Sequence, residues 1–169
     1  MNELLKKLIA IWIAGLVIYL VMVGRFTLYD LAIGSLVSLI AGLLIGVEII
    51  EKPGKIFSLK RIFYGIAYIL YYLFIIEPIC HFKVTAMILG LRRYKPGIVV
   101  IDYDYKSDYA ITAIANSITN TPGTVVVDID PSEKKYYVHW LEAYSLDPMK
   151  AWREIVSKFD KWIREIFEG

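Results

Sequence analysis

The sequence is poor in the residues that build disulfides and metal sites. Its 169 residues include one cysteine, Cys80, and two histidines, His81 and His139. A single cysteine excludes a disulfide framework and a Cys-rich zinc or iron–sulfur centre. The sequence also lacks a Gly-rich phosphate loop, a nucleophile–base pair and any metal-ligand spacing. We therefore expect no enzyme activity, no metal and no cofactor.

Charged residues are scarce as well. Only 21% of the chain is Asp, Glu, Lys or Arg, whereas soluble domains average about 25%. Hydrophobic residues make up 57%, and the mean hydropathy is +0.53. This balance excludes a wholly soluble protein and a disordered chain, and the small net charge of +2 excludes a nucleic-acid binder with a concentrated basic surface.

Apolar sequence is what the first half has in excess. Residues 8–24 and 31–47 carry no charge, and a third apolar run extends over 62–91 if its helix continues through Pro78. A 17-residue helix is about 25 Å long, at the short end of what crosses a hydrocarbon core of about 30 Å. We predict about three transmembrane helices over these segments, in a membrane region covering residues 1–93.

Only residues 25–30 separate the first two helices, so we expect a tight antiparallel hairpin. Gly34, Ser38 and Gly42 repeat every four residues along the second helix, and small residues let helices approach closely in lipid. This small face packs either within the hairpin or against another subunit. A partly inserted hairpin is also left open by the short apolar runs.

The charges give only a weak indication of topology. With three crossings, the N-terminus and the second loop share one side and carry six Lys or Arg, against four on the other side. By the positive-inside rule the N-terminus would be cytoplasmic and the C-terminal domain would lie outside. The small margin does not decide the question.

Glu77 and His81 are the ionisable cluster on the third apolar segment. They are four residues apart, so both lie on the same side of a helix. Intramembrane carboxylates and imidazoles usually face a partner or a wet path, which makes a proton path one hypothesis. The alternative is that the helix has already crossed at this point and the two groups are interfacial anchors.

Residues 94–169 have the pattern of a small soluble domain. Their order is β-α-β-β-α, and the fold class is therefore a membrane protein with about three transmembrane helices followed by an α+β domain. The predicted strands are 97–104, 124–130 and 136–141, and the predicted helices are 109–118, capped by Ser107 and Asp108, and one beginning at Pro148. About 75 residues is near the lower limit for an independent core, so we expect the domain to rest on a membrane or a neighbouring subunit.

Two motifs in this domain carry a resemblance. The stretch Ala115–Asp130 reads ANSITNTPGTVVVDID, and Tyr137–Trp140 reads YVHW. Together they resemble the signature of the E subunit of Mrp-type multisubunit Na⁺/H⁺ antiporters, in which an ANSIT-x-TPGT segment, a V-D strand and YVHW follow in this order. The resemblance covers about residues 60–145, and the N-terminal hairpin matches by hydropathy alone.

The resemblance implies an accessory, structural subunit that helps assemble a cell-membrane complex exchanging monovalent cations for protons. Its partners would be small membrane subunits and large antiporter-like subunits, or hydrogenase subunits where the module belongs to a membrane-bound respiratory complex. It also implies a cytoplasmic C-terminal domain, against the charge count. A membrane-anchored sensor that binds a soluble ligand is a rival hypothesis from another class.

The signature also supplies the candidate assembly motif. Pro122 fixes φ, Gly123 permits a positive φ, and threonine hydroxyls can tie the backbone of the turn. The turn is either a rigid connection or a docking point for a neighbouring subunit. His139 is expected to be a sheet residue with a satisfied hydrogen bond. The candidate residues are Thr119, Thr121, Pro122, Gly123, Thr124, Asp128, His139 and Trp140.

Overall fold

A computed structural model of the chain describes residues 3–46 and 58–168, which form two compact units, Met1–Leu59 and Lys60–Gly169. Residue 47, the end of the second predicted helix, lies outside the described residues. The helices are α1 (Glu3–Val23), α2 (Leu28–Ala41), α3 (Leu59–Ile88), α4 (Asp108–Thr119) and α5 (148–168), and the strands are β1 (Gly97–Asp102), β2 (Thr124–Asp130) and β3 (Lys135–Trp140).

The first unit is the expected helical hairpin. Gly24, with φ +67°, ends α1, and a capping box begins α2: the Asp30 N–H donates to Thr27 Oγ1 at 3.1 Å, and the Thr27 N–H donates back to Asp30 Oδ2 at 3.4 Å. The helix continues beyond Ala41 as a π-helical turn over Gly42–Gly46. The short loop predicted from the sequence is therefore built by one glycine and one reciprocal cap.

The small residues of α2 pack against α1. A Cβ added to Gly34 would lie 2.5 Å from Tyr19 Cδ1, and one added to Gly15 would lie 2.9 Å from Ser38 Oγ. Ser38 is 3% exposed. The small face is therefore used within the hairpin, which is the first of the two alternatives that the sequence left open.

The second unit contains the predicted β-α-β-β-α order. Its three strands form an antiparallel sheet in the order β1-β3-β2, with Val138 paired to Val99 on one side and Val126 on the other. A bulge interrupts β2 between Val126 and Asp128. Strand β1 ends two residues earlier than predicted, because the chain beyond it turns and buries the side chains of Tyr103 and Tyr105.

Helices α4 and α5 cover one face of this sheet and form the core with it. Burying each large apolar side chain fully contributes about 1.5–3 kcal/mol. The large core residues that are at most 1% exposed are Val99, Ile101, Ile114, Ile118, Tyr136, Val138, Val156, Phe159 and Ile163.

The N-cap of α4 is Ser107, as predicted, but the backbone around it is held by a residue of α5. Ser107 occupies the cap position, but its side chain makes no capping hydrogen bond. Instead, the backbone N–H groups of Lys106 and Ser107 donate to Glu168 Oε1, at 2.5 and 3.4 Å. The end of α5 therefore supplies the acceptor, a contact between residues about sixty positions apart that local sequence cannot indicate.

Helix α3 belongs to the same unit as the domain. Its residues Ile76 and Cys80 are part of the domain core, and Tyr68, Tyr71 and Tyr72 pack against that core. A π-helical turn occupies Tyr72–Ile76. The compact unit begins at residue 60, so packing groups α3 with the α+β domain. The boundary predicted from the sequence, between residues 93 and 94, separates the two.

Candidate functional site at the seam of α3 and the TPGT turn

The turn between α4 and β2 is held by its own hydroxyl groups. Thr121 and Thr124 are 2% and 8% exposed. Thr121 Oγ1 donates to the Ser117 carbonyl at 2.6 Å, and Thr124 Oγ1 donates to the Ile118 carbonyl at 2.7 Å. Thr119 Oγ1 accepts from a backbone N–H of β2 at 3.2 Å. All three candidate threonines therefore bond within the domain.

Gly123 meets two requirements in this turn. Its φ of +98° lies in the left-handed region that favours glycine. A Cβ added here would lie 3.4 Å from Val84 of α3 and 4.0 Å from Leu141, whose N–H donates to the Gly123 carbonyl at 3.0 Å. Pro122, which precedes it, fixes the entry to the bend. The TPGT turn is thus shaped to lie against α3.

Two tyrosines of α3 bond to the signature segment. Tyr68 Oη lies 2.5 Å from Ser117 Oγ, and Tyr72 Oη lies 3.5 Å from Thr121 Oγ1. Since the Ser117 hydroxyl already donates to the Ala113 carbonyl, Tyr68 donates to Ser117 Oγ. These tyrosines and Ser117 were not among the predicted residues. The i,i+4 spacing of two tyrosines on an apolar helix was the available signal.

The predicted pair Glu77 and His81 is formed. His81 Nδ1 lies 2.9 Å from Glu77 Oε2, and the side chains are 66% and 20% exposed, respectively. The Tyr72 hydroxyl also interacts with the Glu77 carboxylate. The structure therefore joins the two predicted sets of site residues into one polar row that runs Thr121, Tyr72, Glu77, His81.

The remaining candidates lie on the sheet, away from this row. Asp128 is exposed at the β2 bulge, where its carboxylate accepts the next residue's N–H at 2.8 Å. His139 stands between Ile98 and Val125 across the strands, and its imidazole has no hydrogen-bond partner among residues 3–46 and 58–168, contrary to expectation. Trp140 packs against the core.

A small pocket lies beside the seam, lined in part by Cys80, Lys83, Thr124, Trp140 and Lys158. Lys158 Nζ points to Cys80 Sγ at 3.8 Å, and burial lowers the pKa of this lysine. Within the part of the chain that the structure describes, no group of three His, Cys, Asp or Glu side chains is placed to hold a metal ion.

The chain matches known proteins over nearly its whole length. A family model described as MNHE, Na⁺/H⁺ ion antiporter subunit, matches residues 12–166. The Na⁺/H⁺ antiporter subunit E1 of Staphylococcus epidermidis is 31% identical over 154 residues, covering 90% of this chain and 92% of the relative. Subunit E1 of Staphylococcus haemolyticus is 28% identical over 152 residues, covering 89% and 91%.

A solved structure has the same fold. It is a chain of the membrane-bound sulfane sulfur reductase, an archaeal respiratory membrane complex, with a TM-score of 0.80 and 31% identity over 96% of this chain and 99% of that one. The resemblance inferred from the two motifs is confirmed. Because the family model spans both the hairpin and the α+β domain, this chain belongs to the MNHE family of Na⁺/H⁺ antiporter subunits.

Proposed function

We propose that this chain is an accessory, non-catalytic subunit that holds a multisubunit Na⁺/H⁺ antiporter module together in the cell membrane. The observation that supports this proposal is that the threonine hydroxyls at the TPGT turn form hydrogen bonds inside the domain. The three threonines are Thr119, Thr121 and Thr124. Such a segment fixes the shape of its own chain. The subunit then offers its neighbours a rigid surface, while the ions pass mainly through larger partners.

The wider assignment follows from the family. The antiporter names of the relatives favour a stand-alone antiporter, and the fold of the sulfane sulfur reductase chain favours a respiratory complex that contains the same module. In either assembly the hairpin of α1 and α2 lies in the bilayer and the α+β domain lies in the cytoplasm. By length and composition α1 and α3 are both candidate spans, which is the basis for counting α3 as a third crossing.

Co-purification tests the assembly role. The tagged full-length chain is expressed with the rest of its complex, and the partners are identified by mass spectrometry. Thr121→Val keeps the side-chain volume but removes a buried donor, and we expect it to reduce the yield of the intact complex. Tyr71→Phe is the control, because Tyr71 stacks on Trp162 through its ring alone. A wild-type chain that purifies alone and monodisperse would overturn the proposal.

A second candidate is a direct role in the proton path. It is favoured by the Glu77–His81 pair, in which an exposed imidazole contacts a shielded carboxylate at 2.9 Å. Glu77→Gln keeps the shape of the side chain and removes its proton-accepting group. If the pair carries protons, antiport falls while the complex still assembles. Unchanged antiport in an intact complex would reject this candidate and leave the accessory role in place.

A further inference from the structure

A cysteine and a lysine from distant parts of the chain meet beside the TPGT turn. Cys80, on α3, is the only cysteine of the sequence and is 8% exposed. Lys158, on α5, places Nζ 3.8 Å from Cys80 Sγ, although the two residues are 78 positions apart. A buried thiol usually packs as a small apolar side chain, whereas here the nitrogen of a second nucleophile points at its sulfur.

Lys158 forms no ion pair with a carboxylate among the residues that the structure describes. Its other close neighbour is the Phe159 ring, with the centroid 5.0 Å from Nζ. Burial is the main cause that lowers the pKa of Lys158, and the charge of Lys83 acts in the same direction. Interactions with Cys80 and Glu154 oppose this shift without reversing it. The amine is therefore neutral more often than that of an exposed lysine, and the neutral amine is a nucleophile.

The thiol and the amine both border the pocket beside the seam, so small solutes reach them. The pocket forms where α3, the TPGT turn, the end of β3 and α5 meet, and it has room for molecules close to water in size. Hydrogen peroxide is such a molecule. The carboxylate of Glu142, on the wall of the pocket, is paired with Arg92 at 2.5 Å, so it does not compete for the Lys158 amine.

We propose that Cys80 and Lys158 form an oxidation-dependent crosslinking site, at which hydrogen peroxide joins Sγ on α3 to Nζ on α5 as a sulfenamide. The crosslink holds the two helices together beside the TPGT turn, and its removal by thiols releases them. The modification goes beyond the proposed function: the untreated complex assembles whether or not this bond can form.

The sulfur–nitrogen bond forms in two steps. The neutral Lys158 amine accepts the proton of the Cys80 thiol, and the thiolate attacks one oxygen of hydrogen peroxide. The O–O bond breaks, the sulfur becomes a sulfenic acid, and the departing hydroxide takes the proton from the ammonium to give water. The amine nitrogen then attacks the sulfenic sulfur, the S–O bond breaks, and the departing hydroxide takes a proton from the nitrogen to give a second water.

The reaction balances without any further reagent. One thiol, one amine and one hydrogen peroxide give one sulfenamide and two waters, and the two electrons that the sulfur loses reduce the peroxide. Sulfenic acids condense with thiols or with a nitrogen atom. Because the chain has no second cysteine, it cannot form an internal disulfide, and the amine at 3.8 Å is placed to take that role. A small thiol reverses the bond by attacking the sulfur and releasing the amine.

Peptide mass spectrometry of the assembled complex tests the proposal. The complex is treated with hydrogen peroxide, the remaining thiols are blocked, and the chain is digested with trypsin without reductant. We expect the peptides 62–83 and 154–161 to appear as one species, two hydrogen atoms lighter than their sum, because trypsin no longer cleaves after the modified Lys158. Dithiothreitol should separate them. Oxidation of Cys80 to a sulfinic or sulfonic acid with normal cleavage after Lys158, or a Cys80 that does not react, would overturn the proposal.

Two lysine variants identify the nitrogen. Lys158→Arg keeps the positive charge, but a guanidinium stays protonated and is not a nucleophile. We expect loss of the linked species, and the sulfenic acid left at Cys80 should become reactive toward dimedone. Lys83→Arg, in the same pocket, is the matched control and should leave the crosslink in place. A crosslink that survives Lys158→Arg would overturn the proposal. The wild-type measurement decides the question even if a variant fails to assemble.

The effect of the crosslink on the seam is measured as thermal stability. A bond between positions 78 residues apart closes a long loop and restricts the unfolded chain, so we expect peroxide to raise the thermal midpoint of the wild-type complex. Dithiothreitol should restore the original midpoint, and Cys80→Ser should show no rise. An equal change in the wild type and in Cys80→Ser would overturn the role of the bond in holding α3 against α5.

Discussion

Helices α1 and α3 are both long and apolar enough to span a membrane, yet they are used differently. Helix α1 contacts α2 through glycines and serines, and large apolar side chains such as Val17 and Met22 are exposed around it. Helix α3 is apolar on one side and carries tyrosines bonded to the α+β domain on the other. Hydropathy detects both helices, but it does not distinguish a helix surrounded by lipid from one bound to a soluble domain.

The contact between α1 and α2 and the contact between α3 and the α+β domain should be sensitive to different substitutions. The hairpin depends on how closely two helices approach, so it is sensitive to added volume. The seam of α3 depends on hydroxyl groups and ring packing, so it is sensitive to the loss of single polar atoms. Substitutions that change volume without polarity, or polarity without volume, therefore separate the two regions.

The largest effect is expected in the hairpin. Gly34→Leu adds a side chain whose Cβ would lie only 2.5 Å from Tyr19 Cδ1, and overpacking of this kind costs about 1–3 kcal/mol. We expect a clear fall in the thermal midpoint of the solubilised complex. Gly65→Leu in α3 is the matched control, because nothing lies within 4 Å of its Cβ position. Equal losses from both variants would contradict the close packing of the hairpin.

Much of the fold follows from local sequence. Periodicity, caps and turn residues encode the order of strands and helices along the chain, the start of the last helix at Asp147 and Pro148, and the short hairpin loop. The structure confirms all three. The placement of α3 is not encoded in this way. Its apolar run has the length of a span, and only the domain that folds about fifty residues later, at Ser117 and Thr121, shows which side is covered.

The candidate site was predictable to a similar extent. The signature turn and the Glu77–His81 spacing were visible in the sequence, since both are local patterns. Tyr68 and Tyr72 were missed because a tyrosine within an apolar run is equally typical of a membrane interface. Their role depends on a contact between segments far apart in the chain, which requires the tertiary structure.

A smaller effect is expected from removing one hydroxyl at the seam. Tyr68→Phe removes the donor to Ser117 Oγ, and losing one such hydrogen bond costs about 0.5–1.5 kcal/mol. The thermal midpoint of the solubilised complex should fall by a few degrees. Tyr71→Phe should leave it unchanged, because the Tyr71 hydroxyl has no hydrogen bond among the described residues and its ring still stacks on Trp162. Identical behaviour of the two variants would show that the seam is held by ring packing alone.

The smallest effect is expected outside both contacts, at the loop after β1. The hydrogen bond from Arg164 is the main cause that lowers the pKa of Asp104. A carboxyl whose pKa is lowered by folding stabilises the protein at pH values above its ordinary pKa, near 4, and this stabilisation is lost as the pH falls through the lowered value. Asp104 is 80% exposed, so solvent screens the pair, and we expect it to contribute less than about 0.5 kcal/mol to stability.

Asp104→Asn should flatten acid unfolding of the complex below about pH 4. Asp102→Asn, at the end of β1, should leave it unchanged. A flattening that is equal in both variants would assign the acid sensitivity to general charge, since Asp104 contacts Arg164 and Asp102 does not.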